Sequence, residues 1–215
     1  MRVVVGAVIG VERPRAHRAG CLLDRSHLMQ YNMDAVSLAD AASILILKEA
    51  IFMRNLSVKK LTMAGVMAAL VFVMTYVPKV PVPVTGGYVH LGDGAIFLAA
   101  LLLGPMGIPA AAVGSGLADL LGGYMVYVLP TMLIKALVAF IAWKGWKEGS
   151  WVRAVVAFVL AEAAMVAGYF AFEALMYGTA AAWAAVGANC IQGIAGVVLG
   201  MVCHALYPRM KRMVK

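Results

Sequence analysis

Between Ser57 and Tyr207 the chain is a succession of apolar segments with almost no charge. The stretch from Leu61 to Val77, for example, carries no charged residue. Segments of this kind gain by leaving water. In lipid every backbone N–H and C=O must then be paired within the segment, so helices are the form open to them. An ordinary soluble domain is about 25% charged. This chain of 215 residues is 13% charged and 64% hydrophobic, with a mean hydropathy of +0.91. The sequence therefore predicts an all-α, polytopic membrane protein. The length beyond the first fifty residues holds about six spans at roughly 20 residues each.

The predicted spans cover residues 57–77, 93–103, 108–121, 130–146, 152–176 and 186–207. The net charge of +8 follows from basic residues at segment ends, which report topology rather than nucleic-acid binding. With the N-terminus inside, the inner side receives Arg54, Lys59, Lys60, Lys144, Lys147, Arg153, Arg209, Lys211, Arg212 and Lys215. The outer loops receive only Lys79. Ten against one is a strong positive-inside bias and places both termini in the cytosol.

Residues 1–52 form a different region, with six of the eighteen basic and five of the ten acidic residues. They read as an N-terminal extension, either a surface helix over 35–52 or the product of a mis-called start, with Met53 a plausible true N-terminus. The membrane domain is then 53–215. Cys21, Cys190 and Cys203 lack metal-binding or redox spacing, so no metal, cofactor or disulfide framework is expected.

Polar residues inside this apolar frame mark the candidate site. Spans 2 and 3 back onto each other around Gly104-Pro105-Met106-Gly107. Each carries a carboxylate at its far end, Asp93 and Asp119, so a hairpin brings both to one face. Residues 78–92 hold three prolines and cannot form a regular helix. This long loop 1 carries Tyr88 and His90 and is expected to cap an outward-facing site. Lys135 lies about 7–8 Å into span 4 and either snorkels or faces a polar cavity. On span 5, Glu162 and Glu173 are eleven residues apart and share a face with Tyr169. Asn189 and Gln192 share a face of span 6. Tyr124 and Tyr127 lie at the same outer end. These twelve residues are the candidate substrate-binding set, with Glu162 a functional candidate because a mid-membrane carboxylate is costly. Gly196 and Gly200 suggest helix packing, and His204 is expected in solvent or at a cap near the inner interface. Ala64 and Ala68 form a small-xxx-small pair that allows close approach of another helix.

Two other classes were weighed. Ser115 and His204 fall at opposite ends of their spans, so an intramembrane serine protease is not supported. A solitary secondary carrier or channel remains the alternative, although no inverted repeat is visible between the halves.

The motifs Thr85-Gly-Gly-Tyr-Val-His-Leu-Gly-Asp, Leu-Leu-Leu-Gly-Pro, Gly114-Ser-Gly-Leu-Ala-Asp-Leu-Leu-Gly-Gly-Tyr, Pro130-Thr-Met-Leu-Ile-Lys and Asn189-Cys-Ile-Gln-Gly occur in this order. Together they resemble the substrate-binding S component of energy-coupling factor (ECF) vitamin transporters, in the riboflavin-, pyridoxine- and hydroxymethylpyrimidine-type branch. The resemblance covers about residues 56–206. It implies six transmembrane helices, a loop 1 over the site, and partnership with a transmembrane coupling protein and two ATPases in a bacterial or archaeal plasma membrane. It also implies that Ala64 and Ala68 contact the coupling protein. No phosphate-binding loop is present, so the chain is not itself an ATPase or other enzyme. From the residue types, the expected substrate is a small heteroaromatic vitamin or precursor, hydroxymethylpyrimidine- or pyridoxine-like before riboflavin.

Overall fold

A computed structural model of the protein describes residues 58–214 except 84 and 86. The expectations for residues 1–52 lie outside the described residues. The elements are α1 (Val58–Tyr76), β1 (Val80–Val82), β2 (Gly87–Val89), α2 (Gly92–Leu103), α3 (Gly107–Gly122), α4 (Val128–Gly145), α5 (Trp151–Tyr177) and α6 (Thr179–Val214). Among the described residues, five stretches are long and apolar enough to cross a membrane. One of them, Gly92–Gly122, contains both α2 and α3. At 1.5 Å per residue α2 is only about 18 Å long, less than the ~30 Å of a hydrocarbon core.

The turn between α2 and α3 is built from small residues. Gly104 takes φ 59, which a side chain disfavours. Gly107 lies so close to α2 that a Cβ there would stand 2.6 Å from the Ala99 carbonyl oxygen. The chain therefore doubles back tightly, and α2 becomes the centre of the bundle. It packs against α1, α3, α4 and α6. Ile96 and Phe97 are fully buried, and Phe97 stacks on Phe158 of α5 with centroids 4.5 Å apart. Gly200 of α6 fits against both rings, and Gly196 fits against Glu162 and Asp93. Large apolar side chains such as Val155, Leu160, Ile191, Ile194 and Val198 are exposed on the outer faces, as lipid contact requires.

Three features differ from the sequence reading. The connection after α1 is not wholly irregular: β1 and β2 pair antiparallel, Val80 with Val89 and Val82 with Gly87. Helix α6 starts seven residues before the predicted span and continues past Pro208. Its alanine-rich start favours helix, and Gly178, at φ 86, separates it from α5. His204 is buried rather than solvated. It accepts a 2.8 Å hydrogen bond from Trp146 Nε1 and meets the Trp151 ring edge-on at 4.9 Å. This aromatic cluster ties the α4–α5 loop to α6. Beside it, Lys211 and Glu148 form an exposed pair of the kind worth little to stability.

Replacing Gly107 with Val forces the turn apart and should cost about 1–3 kcal/mol. A Cβ at Gly65 meets nothing within 4 Å, so Gly65→Ala should be near neutral. Thermal unfolding in detergent distinguishes the two variants.

Candidate functional site

At the end of the bundle opposite the Trp146–His204 cluster, the β-ribbon and four helices enclose a cavity. Its enclosed space is narrow, and the wider space around it opens to solvent. The loop contributes Val82, Thr85, Gly87, Tyr88 and His90. Asp119 comes from the end of α3, Tyr127 from the turn before α4, and Thr131 from the first turns of α4. Tyr169 and Glu173 come from α5, and Ala185, Asn189 and Gln192 from α6.

Buried charge lies beneath the cavity. Lys135 Nζ and Asp93 Oδ1 are 2.6 Å apart, with side-chain exposures of 0% and 1%. The second oxygen, Asp93 Oδ2, accepts a 2.7 Å hydrogen bond from Gln192 Nε2. Gln192 Oε1 accepts in turn from the His90 backbone N–H at 2.9 Å. A continuous chain thus runs from α4 through α2 and α6 to the loop. Lys135 neither snorkels nor reaches the cavity; its charge is satisfied by Asp93, and Tyr169 lies 5.5 Å from its Nζ.

The walls are held by shorter links. Tyr88 Oη donates to Asp119 Oδ1 at 2.6 Å, and burial together with this carboxylate raises the phenol pKa. Tyr127 Oη lies 3.1 Å from the Thr85 carbonyl and 3.3 Å from Glu173 Oε1. Thr131 Oγ1 and Tyr169 Oη are 3.1 Å apart. Asp119 Oδ2 and Glu173 Oε2 are buried without a hydrogen bond of good geometry, and the nearest hydroxyls, of Thr131 and Thr85, only approach these two carboxylates. The His90 imidazole is pushed down to about 3 by burial, with Lys135 adding to the effect, so the ring is neutral at physiological pH. Its Nδ1 accepts from the Gly92 N–H at 2.9 Å. Lys79 closes the rim, with Nζ 4.0 Å from the Tyr76 ring centroid and 4.8 Å from that of Tyr88.

Of the twelve candidate residues, eight line the cavity: Tyr88, His90, Asp119, Tyr127, Tyr169, Glu173, Asn189 and Gln192. Asp93 and Lys135 form the layer below. Tyr124 is one shell out, with its ring 4.5 Å from that of Tyr88. Glu162 does not reach the cavity. It lies two turns, about 10 Å, before Tyr169 on α5, away from the cavity end. There it is buried beside Gly196 with neither carboxyl oxygen hydrogen-bonded. Sequence reasoning missed Thr85 and Thr131. Thr131 is four residues before Lys135 and so shares its helix face, a signal that was present. Ala64 is buried within this chain and Ala68 is half-buried, whereas Gly65 and Ala69 are exposed. Ser115 is buried away from the cavity, and His204 is engaged by Trp146.

Among the described residues, helices apolar enough to cross a membrane surround a polar cavity, an arrangement that suits the binding of a solute. Two relatives carry that further. A protein from Lactococcus lactis subsp. cremoris named thiamine precursor transporter HmpT is 33% identical over 161 residues, which cover 73% of this chain and 92% of that protein. An uncharacterized protein from Pyrococcus woesei is 34% identical over 132 residues, covering 60% of this chain and 88% of that one. The family profile of the ECF-type riboflavin transporter S component matches residues 55–209, and the chain belongs to that family. It is a membrane transport protein and not an enzyme.

Replacing Lys135 with Met strands the Asp93 carboxylate in the bundle core. Stability should fall by about 3–5 kcal/mol. Adding Asp93→Asn should recover most of the loss, because the buried charge is then gone while an acceptor for Gln192 remains. Thermal unfolding of the single and double variants tests this.

Proposed function

We propose that the chain is the substrate-binding subunit of an ATP-driven ECF importer, and that its substrate is a donor-rich heteroaromatic vitamin precursor of the hydroxymethylpyrimidine type. The observation that carries the reading is the pair of unpartnered acceptors, Asp119 Oδ2 and Glu173 Oε2, in the walls of the cavity. A buried acceptor without a donor is costly, so the fitting ligand brings N–H or O–H groups to both sides. An aminopyrimidine carrying a hydroxymethyl arm does so. Asn189 adds a donor and an acceptor for a mixed ring edge, and Tyr127 and Tyr169 add aromatic faces. The name of the Lactococcus relative points the same way. The family, that of riboflavin transporter S components, favours riboflavin as the second reading. Its ribityl hydroxyls also donate, in a larger ligand.

In this reading, α2 and α3 each count as a membrane helix, giving six, and loop 1 is the cap. The strong basic bias sets both termini in the cytosol and the cavity toward the outside, where Lys79 is the lone basic loop residue. The coupling protein and two ATPases supply the energy. The face offered to the coupling protein is the shallow apolar groove lined by Gly65, Ala68, Ala69, Phe72, Leu117 and Leu121. This moves the contact one residue along α1 from the Ala64–Ala68 pair, because Ala64 faces inward.

Calorimetry with hydroxymethylpyrimidine, pyridoxine, thiamine and riboflavin tests the substrate. Asp119→Asn, Glu173→Gln and Asn189→Ala should each weaken hydroxymethylpyrimidine binding by about 5- to 150-fold, equivalent to one lost buried hydrogen bond of roughly 1–3 kcal/mol. Ser115→Ala should change little. Unchanged affinity in all three cavity variants overturns the site, and tight binding of riboflavin alone overturns the choice of substrate.

The coupling face has its own test. Ala69→Trp should abolish cellular uptake with ligand affinity retained, whereas Ala64→Trp should damage both. Uptake that persists without the ATPases would instead indicate a solitary carrier.

A further inference from the structure

Gln192 was expected to meet the substrate, and its amide does border the cavity. Its hydrogen-bonding capacity is nevertheless already directed elsewhere. The oxygen accepts from the His90 N–H, and the nitrogen donates to Asp93 Oδ2 and lies 3.8 Å from Met165 Sδ. These partners are chemically opposite. A backbone N–H can only donate, and a carboxylate bound to Lys135 can only accept. A side chain that bridges them needs an acceptor at one end and a donor at the other, which is what a primary amide supplies. The residue is itself buried, at 4% exposure. Its far anchor cannot drift, because Asp93 is fixed by the buried Lys135. Its near anchor is the backbone of the loop, at the residue whose ring lines the cavity.

We propose that Gln192 is a positioning residue: it latches the cavity loop to α6 through the His90 backbone, and acts on the substrate through that loop rather than by direct contact. The loop end is thereby held by the ion pair below the cavity. Tyr88 and Tyr127 tether other points of the same loop, to Asp119 and from Thr85. Gln192 sets where β2 enters α2, and so where the His90 ring stands.

The test exploits the donor–acceptor requirement. Replacing Gln192 with Glu introduces a carboxyl that can replace the amide only when protonated. The protonated form donates to Asp93 and accepts from His90. The ionised form has no donor and faces the Asp93 carboxylate. The charged and titratable groups around this position are Asp93 from α2, Lys135 from α4, Glu162 from α5 and His90 from the loop. His90 stays neutral across the range used, since burial holds it near 3. Measuring wild type at each pH cancels the contributions of the others.

Hydrogen–deuterium exchange is followed over residues 87–91 in the full chain without ligand, and is normalised to wild type. In Gln192→Leu these amides should exchange at least about tenfold faster at every pH, since a local opening has become easier. In Gln192→Glu their protection relative to wild type should fall as pH rises, toward that of the leucine variant. Wild-type protection in Gln192→Leu, or Gln192→Glu protection that rises relative to wild type with pH, overturns the latch. The substrate arm rests on the reading of the cavity given above. Hydroxymethylpyrimidine affinity, by calorimetry, should fall in step with loop protection in both variants. A wild-type protein that binds no hydroxymethylpyrimidine overturns that reading alone, because the exchange experiment needs no ligand.

Discussion

A lysine with no exposed surface sits in the middle of this bundle, and most of the polar architecture follows from neutralising it. Lys135 enters a low-dielectric interior where an unpaired ammonium is prohibitively costly. Asp93 answers it at 2.6 Å. That carboxylate has a second oxygen to satisfy, and Gln192 supplies the donor. The amide then has an oxygen to place, and the loop supplies the N–H of His90. Each polar group is explained by the demand of the one before it. The sequence ends at a cavity wall, so a charge pair in the core determines the shape of a site it does not touch.

The cavity wall holds two carboxylates, Asp119 and Glu173. The one cation near its floor is matched by Asp93, so Asp119 and Glu173 have no lysine of their own within it. Lys79 stands at the rim among tyrosine rings, and burial there pulls its pKa down, with Asp119 acting in the other direction. On the proposed reading, this balance suits ligands with hydrogen-bond donors over anionic, phosphorylated ones, and selectivity follows from the unmatched oxygens rather than from the shared fold.

Much of this was legible in the residue order. Apolar runs broken by Gly, Pro and basic clusters located α1 to α5 to within two residues at each end, but fell seven residues short at both ends of α6. The end-placed carboxylates of spans 2 and 3 indicated that a hairpin would bring Asp93 and Asp119 to one end. Helical spacing put Tyr169 with Glu173 and Asn189 with Gln192. Depth was less legible. Glu162 shares a face with Tyr169, but a shared face says nothing about how far down the bundle a cavity extends. Its floor is set by Lys135 and Asp93, which pair only in three dimensions. The rotation of α1 was also hidden. Ala64, Gly65, Ala68 and Ala69 are all small, and only packing against Gly114 of α3 decides which of them turn inward. His204 was misplaced for a related reason: the two tryptophans beside it come from the end of α4 and the start of α5.

Helix α6 reaches both ends of the described helix bundle. Gln192, near the cavity, and His204, in the aromatic cluster, are twelve residues apart on it, about 18 Å along one uninterrupted rod. An α-helix has little slack along its axis. A shift of α6 at the tryptophan end is therefore delivered almost undiminished to the amide under the loop. The two ends are joined mechanically, as the two ends of a push-rod are, with no relay of side chains needed between them.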